Sequence, residues 1–168
     1  MSGELEPVTI SRELLERVFA EAKRAYPDEC CGWLAGPRGG GRAEALRACE
    51  NVQAAGDHPT ATDRSAETAY VIAGRDLLEL TRALDGDYPP LVIYHSHPNG
   101  MAYFSATDRE VATSPWGDGP AYPVQQLVVG VTADRVTEAA LFAYSETDAD
   151  FVEIARYAGE GQGAGEAP

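Results

Sequence analysis

The chain has 168 residues and a formal net charge of −14, from 13 basic and 27 acidic side chains. That balance argues against nucleic-acid binding, which depends on Lys and Arg neutralising phosphates, and favours a partner with a basic face. No stretch approaches the ~18 consecutive apolar residues of a membrane span, and Met1 to Glu6 lacks the basic and apolar regions of a signal peptide. The expectation is a cytoplasmic protein with no membrane contact. A chain of this length buries about 70% of its unfolded surface, enough for one core without staples. Cys30, Cys31 and Cys49 do not form a secreted disulfide framework. Cys49 can approach one of the other two across strands, but free thiols are the expectation in a reduced compartment.

In chain order, Ser11 caps a first helix to about Ala25, with Leu14, Leu15, Val18, Phe19 and Ala22 on one stripe. Cys31 to Ala35 reads as a buried strand ended by Gly36-Pro37, and Gly39-Gly40-Gly41 turns the chain into a second strand, Ala43 to Val52. Residues 54 to 66 form a polar loop carrying His58, either an extra ligand or an exposed histidine. A short strand near Tyr70-Val71-Ile72 precedes a helix from about Gly74 to Leu84, in which Leu77, Leu80 and Leu84 repeat at helical spacing. Leu91 to Tyr94 is an apolar run of strand formers, and a short helix follows from Ala106 to about Thr113. Residues 114 to 123 make a turn-rich loop with Trp116 and Tyr122. Two strands, Gln126 to Val131 and Val136 to Tyr144, meet at a tight turn around Ala133-Asp134, and a last strand covers about Phe151 to Ile154. The order gives an α/β class with one domain, residues 1–157, and a Gly- and Glu-rich disordered tail, 158–168.

Chemistry concentrates between residues 95 and 108. His95 and His97 stand at i and i+2 at the end of a strand, so both imidazoles point to one face. Pro98 and Asn99-Gly100 take the chain out of the sheet and bring Asp108 back toward them. Ser105 to Asp108 is also an N-cap signature, with Ser105 as the cap and Asp108 in the first turn. Two histidines and one carboxylate make three ligands and leave a fourth tetrahedral position for water, the ligand count of a catalytic zinc. Ser96, between the histidines, faces the other way and is structural.

The string His-Ser-His, seven residues, Ser, two residues, Asp resembles the JAMM motif of the MPN+ metalloproteases at His95, Ser96, His97, Ser105 and Asp108. Pro27-Asp28-Glu29-Cys30-Cys31-Gly32 is similar to the prokaryotic family's Pro-x-Glu-x-Cys-Gly stretch, with Cys30 at its variable position. The resemblance implies a single-domain MPN fold, a mixed central sheet with flanking helices, similar in outline to cytidine deaminase. It also implies one Zn2+ held by His95, His97 and Asp108, with Glu29 as general acid/base. Asp28 offers the same chemistry, and only the motif separates the two. Zinc lowers the pKa of bound water toward roughly 7, a proton-carrying carboxylate contributes about 10²–10⁴-fold, and Ser105 would donate to the developing oxyanion.

The resemblance further implies peptidase or isopeptidase cleavage after the Gly-Gly tail of a ubiquitin-like or sulfur-carrier β-grasp protein. Such a tail can add as a strand to a sheet edge beside the metal. Loops 54–66 and 114–123 are expected to flank that groove, with Trp116 and Tyr122 either as walls or packed locally. The alternatives are a zinc amidase or peptidase acting on small substrates and a non-catalytic MPN scaffold. A zinc deaminase would need His-x-Glu and Pro-Cys-x-x-Cys, which the chain lacks.

Overall fold

The computed structural model describes residues 5–51, 72 and 74–160. Its elements are α1 (Arg12–Ala25), β1 (Cys31–Ala35), β2 (Ala45–Cys49), α2 (Gly74–Ala83), β3 (Pro90–His97), α3 (Ala106–Ala112), β4 (Gln125–Val131), β5 (Val136–Ser145) and β6 (Asp150–Ala158). The strands form one sheet in the order β2-β1-β3-β4-β5-β6. The β3–β4 pair is parallel and the other pairs are antiparallel, so the sheet is mixed as expected. The loop at 54–66 with His58, the residues Tyr70 and Val71, and residues 161–168 lie outside the described residues.

α1 begins where Ser11 accepts a hydrogen bond from the Leu14 amide at 3.1 Å, satisfying one orphan donor of the first turn. The five stripe residues named from the sequence are all buried. They pack on Leu34, Val92, Tyr94, Leu127 and Leu141 of one sheet face. The opposite face holds two further clusters. Trp33, Ile93 and Val124 pack on Leu80 of α2, and Val128, Phe142 and Phe151 pack with Phe104 and with Ala112 of α3. β3 is covered on both sides, which is why it reads as a continuous apolar run. Alternation along it sends Val92 and Tyr94 toward α1 and leaves Ile93, His95 and His97 on the other face.

Two elements differ in extent from the sequence reading. β2 is shorter because Ala43 donates to Thr9 instead of to the hairpin, and at its far end the Glu50 amide donates to the Asp76 carboxylate at 3.0 Å. β6 is longer: it continues to Ala158, and Glu160 then exchanges backbone and side-chain hydrogen bonds with Val136. In α2, Leu80 is buried, whereas Leu77 is 37% exposed and Asp76 is buried in its place. Asp76 pairs with Arg47 at 3.0 Å and ties the start of α2 to the end of β2.

Candidate metal centre and active site

The site is assembled where β3 ends. His95 and His97 are 0% and 5% exposed, and their Nε2 atoms lie 3.2 Å apart. Gly100, with φ of 80°, then reverses the chain so that it lies on β4. A Cβ on Gly130 would meet the Gly100 carbonyl carbon and oxygen at 2.6 Å, so β4 needs a glycine for this close approach. Thr137 holds the same turn by donating its hydroxyl to the Gly100 carbonyl oxygen, with the Gly130 carbonyl oxygen 3.1 Å away as a second acceptor within reach. The reversal carries Tyr103, Ser105 and Asp108 back over the histidines.

Asp108 serves the cap and the histidines together. The Asp108 amide donates to Ser105 Oγ at 3.0 Å, and the Ser105 amide donates to Asp108 Oδ2 at 2.9 Å, a reciprocal capping box. The same carboxylate places Oδ1 3.1 Å from His95 Nε2 and Oδ2 3.1 Å from His97 Nε2. Burial would raise the Asp108 pKa, but charge and hydrogen bonding from His95 and His97 outweigh it and hold the carboxyl well below the usual range.

His97 Nδ1 lies 3.2 Å from the Met101 carbonyl oxygen, which can only accept. Nδ1 therefore carries the proton. In neutral His97 the Nε2 lone pair then faces a carboxylate oxygen 3.1 Å away, an arrangement that a bound cation would bridge. Donor atoms about 2.0–2.1 Å from a tetrahedral zinc stand about 3.3–3.4 Å apart. The contacts here, 3.1 to 3.2 Å, are close to that spacing, so the residues present fit a metal ion.

Glu29 is 5% exposed and comes from the loop between α1 and β1. One of its carboxylate oxygens lies within 4.8 Å of the ring nitrogens of His95 and His97, so Glu29, His95 and His97 also form a buried group that could hold a metal. Neighbouring Asp28 is exposed and outside that group. Glu29 is located through its backbone: Asn51 donates to its carbonyl at 2.8 Å. Ser96 Oγ accepts from the Cys30 amide at 2.8 Å, and the Ser96 amide donates to the Cys30 carbonyl at 3.2 Å. Ser96 is thus the tie between β3 and the Glu29 loop, the structural role expected for a side chain facing away from the histidines.

A cleft of about 650 Å3 opens on this centre, lined by Glu29, His97, Ser105 and Asp108 together with Tyr26 and Tyr103. The two tyrosines were not singled out from sequence. Tyr103 lies two residues before Ser105, is 45% exposed, and sets its ring 4.8 Å from that of His97. Trp116 and Tyr122, expected as possible walls, are not among the lining residues. Trp116 is 84% exposed, and Tyr122 packs beside Trp33 and Val124, the local-packing alternative. The described strands put neither sheet edge directly beside the two histidines. Among the described residues β3 is interior, flanked by β1 and β4, and the sheet ends at β2 and β6, with Asn51 just beyond β2 bridged antiparallel to Ile72. The three cysteines are free, and burial pushes the thiol pKa of Cys30 and of Cys49 up to about 12.

Residues 11–148 match the family model described as prokaryotic homologs of the JAB domain. The chain belongs to that family. It is 36% identical over 114 residues to the CysO-cysteine peptidases of Mycobacterium bovis and Mycobacterium tuberculosis, covering 67% of this chain and 70% of those proteins. Its fold is similar to the solution structures of a Desulfitobacterium hafniense protein (TM-score 0.61, 22% identity, 86% of this chain and 88% of that one) and of a Salinibacter ruber protein (TM-score 0.57, 24% identity, 86% and 87%). The chain is a small prokaryotic member of the JAMM/MPN group with the MPN fold. No helix among the described residues is long and apolar enough to cross a membrane.

Proposed function

We propose that this chain is a zinc-dependent peptidase or isopeptidase of the cytoplasm that hydrolyses the bond after the Gly-Gly tail of a ubiquitin-like, β-grasp sulfur carrier. The observation that carries this reading is the convergence of His95, His97 and Asp108 at 3.1 to 3.2 Å beside buried Glu29, in the wall of an open cleft. The relatives named CysO-cysteine peptidase support a carrier-type substrate.

His95, His97 and Asp108 would hold the ion, because both Asp108 oxygens already touch the two Nε2 atoms. When bound, zinc supplies acidified water and polarises a carbonyl. Glu29, buried beside the two histidines, takes the proton from water and passes it to the departing nitrogen. Met101 keeps the His97 proton on Nδ1. Ser105 uses its oxygen as the helix cap, which leaves its hydroxyl proton to be donated toward the oxyanion. The carrier tail enters the cleft between Tyr26 and Tyr103.

The test is to incubate the zinc-loaded chain with β-grasp carriers bearing C-terminal extensions and to read intact mass with and without chelator. Loss of the extension after Gly-Gly, abolished by chelator, is expected. Zinc-loaded protein that leaves every carrier intact while hydrolysing small amides would replace the carrier with the small-substrate alternative. A chain that takes up no zinc would make it a scaffold.

A further inference from the structure

A second cleft, of about 400 Å3, lies against the first and shares one lining residue with it, Glu29. It is bordered by Glu21 and Arg24 near the C-terminal end of α1, by Asp28, and by Asn51 beyond β2, with Cys31 and Cys49 also lining it. The proposed reaction gives this layout a direction. The acyl carbonyl belongs on the side of His97, Ser105 and Asp108, which line only the larger cleft. The nitrogen that receives the proton from Glu29 must lie on the far side of the scissile bond. In hydrolysis the water oxygen ends on the acyl carbon, the C–N bond breaks, and the nitrogen leaves with the proton that Glu29 carried. Whatever is attached to that nitrogen therefore extends past Glu29, into the smaller cleft.

The charges there are arranged for a zwitterion. Arg24 is the one basic side chain among the described residues lining the cleft, 68% exposed, with one guanidinium nitrogen 2.7 Å from Glu21. A guanidinium has five donors, so that pair leaves others to bind a carboxylate. Glu21, Asp28, Glu29 and the carbonyl end of α1 repel a carboxylate elsewhere in the cleft. They also attract the ammonium formed when the bond breaks. A volume of about 400 Å3 is at the small end for ligand sites, which run about 300–1,000 Å3.

The geometry points to the smaller cleft as the leaving-group site, shaped for a single α-amino acid whose free carboxylate is bound by Arg24. This rests on the peptidase reading and narrows it. The chain would act at a carrier's C-terminus, removing one residue, in preference to opening a lysine isopeptide bond.

The experiment uses the full zinc-loaded chain and one carrier ending in Gly-Gly, extended by a single alanine that carries either a free carboxylate or a carboxamide. Wild type is expected to favour the free carboxylate by about five- to tenfold in kcat/KM, mainly through KM, the scale of one charge-assisted contact at a partly exposed site. Arg24→Gln should bring the carboxylate substrate down to the carboxamide's value and leave the carboxamide unchanged. Arg17→Gln, an exposed change on the same helix, should keep the preference. Equal rates in wild type, or a preference that survives Arg24→Gln, would overturn the inference while leaving the peptidase reading intact. If neither carrier is cleaved, both fall.

Discussion

Replacing Ser105 with alanine separates two roles that one oxygen and its proton perform. In the structure Ser105 Oγ accepts the Asp108 amide at 3.0 Å and so starts α3, a helix of 7 residues. Loss of such a cap costs about 1 kcal/mol, which in a protein of this size lowers Tm by roughly 2–4 °C. The hydroxyl proton is a separate matter. If it is donated to the oxyanion, its removal takes a further ~2.7–4 kcal/mol from the transition state, about 10²–10³ in kcat. The cap loss acts on folding, and the donor loss acts on rate. Because Asp108 sits in the same capping box, zinc content must be measured on each variant. The assay is a thermal melt, a zinc determination and kcat on a carrier with a one-residue extension. Ser105→Ala should melt a few degrees lower, keep its zinc and lose turnover by about 10²-fold or more, whereas Ser105→Thr should retain both properties. If Ser105→Ala melts lower and keeps zinc but turns over within about threefold of wild type, the oxyanion role is wrong and Ser105 is a cap alone.

Glu29→Gln should bind zinc as wild type does and lose about 10²–10⁴-fold in kcat, whereas Asp108→Ala should lose zinc itself; full activity in zinc-loaded Glu29→Gln would remove the proton-carrier assignment. Burial tends to raise the Asp76 pKa, but the Glu50 amide and Arg47 overcome this and lower it. Its folded pKa then lies below the unfolded value of about 3.9, so its contribution to stability is present above that pH and is lost as pH falls through the folded pKa. Urea midpoints should therefore fall more steeply below about pH 4 in wild type than in Asp76→Asn, and parallel curves would contradict this. Trp116→Ala should leave kcat and KM unchanged, since Trp116 is not among the residues lining the cleft; a raised KM would restore the groove role first expected of it.

The stripe of α1 was legible because its residues recur at helical spacing against a single sheet face. His95 and His97 were legible because a strand end fixes their common direction. Other features depend on contacts distant in sequence. Asp76 reads as an ordinary first-turn acid until the fold brings Arg47 and the Glu50 amide to it. Ser96 gives no sign that it holds the Cys30 backbone, 66 residues away. Strand order was the largest gap. No local pattern says that β3 is interior among the described strands, flanked by β1 and β4. The two aromatics of the 114–123 loop were left between groove wall and local packing for a related reason. An aromatic in a turn-rich loop can point toward a cleft or into the core, and for Tyr122 the packing of Trp33 and Val124 decided it.

The capping box has a consequence for the order in which the centre is built. Asp108 is oriented by amide hydrogen bonds at the start of α3, and His97 by the Met101 carbonyl, so both are aimed by the folded chain. In zinc fingers the ion must organise the chain, and its binding energy is folding energy. Here hydrogen bonds of the folded chain aim two of the proposed ligands, so on the proposed reading the ion would enter a socket that the fold itself shapes. Removing the metal should then leave the fold standing, with the protein switched off but able to be recharged.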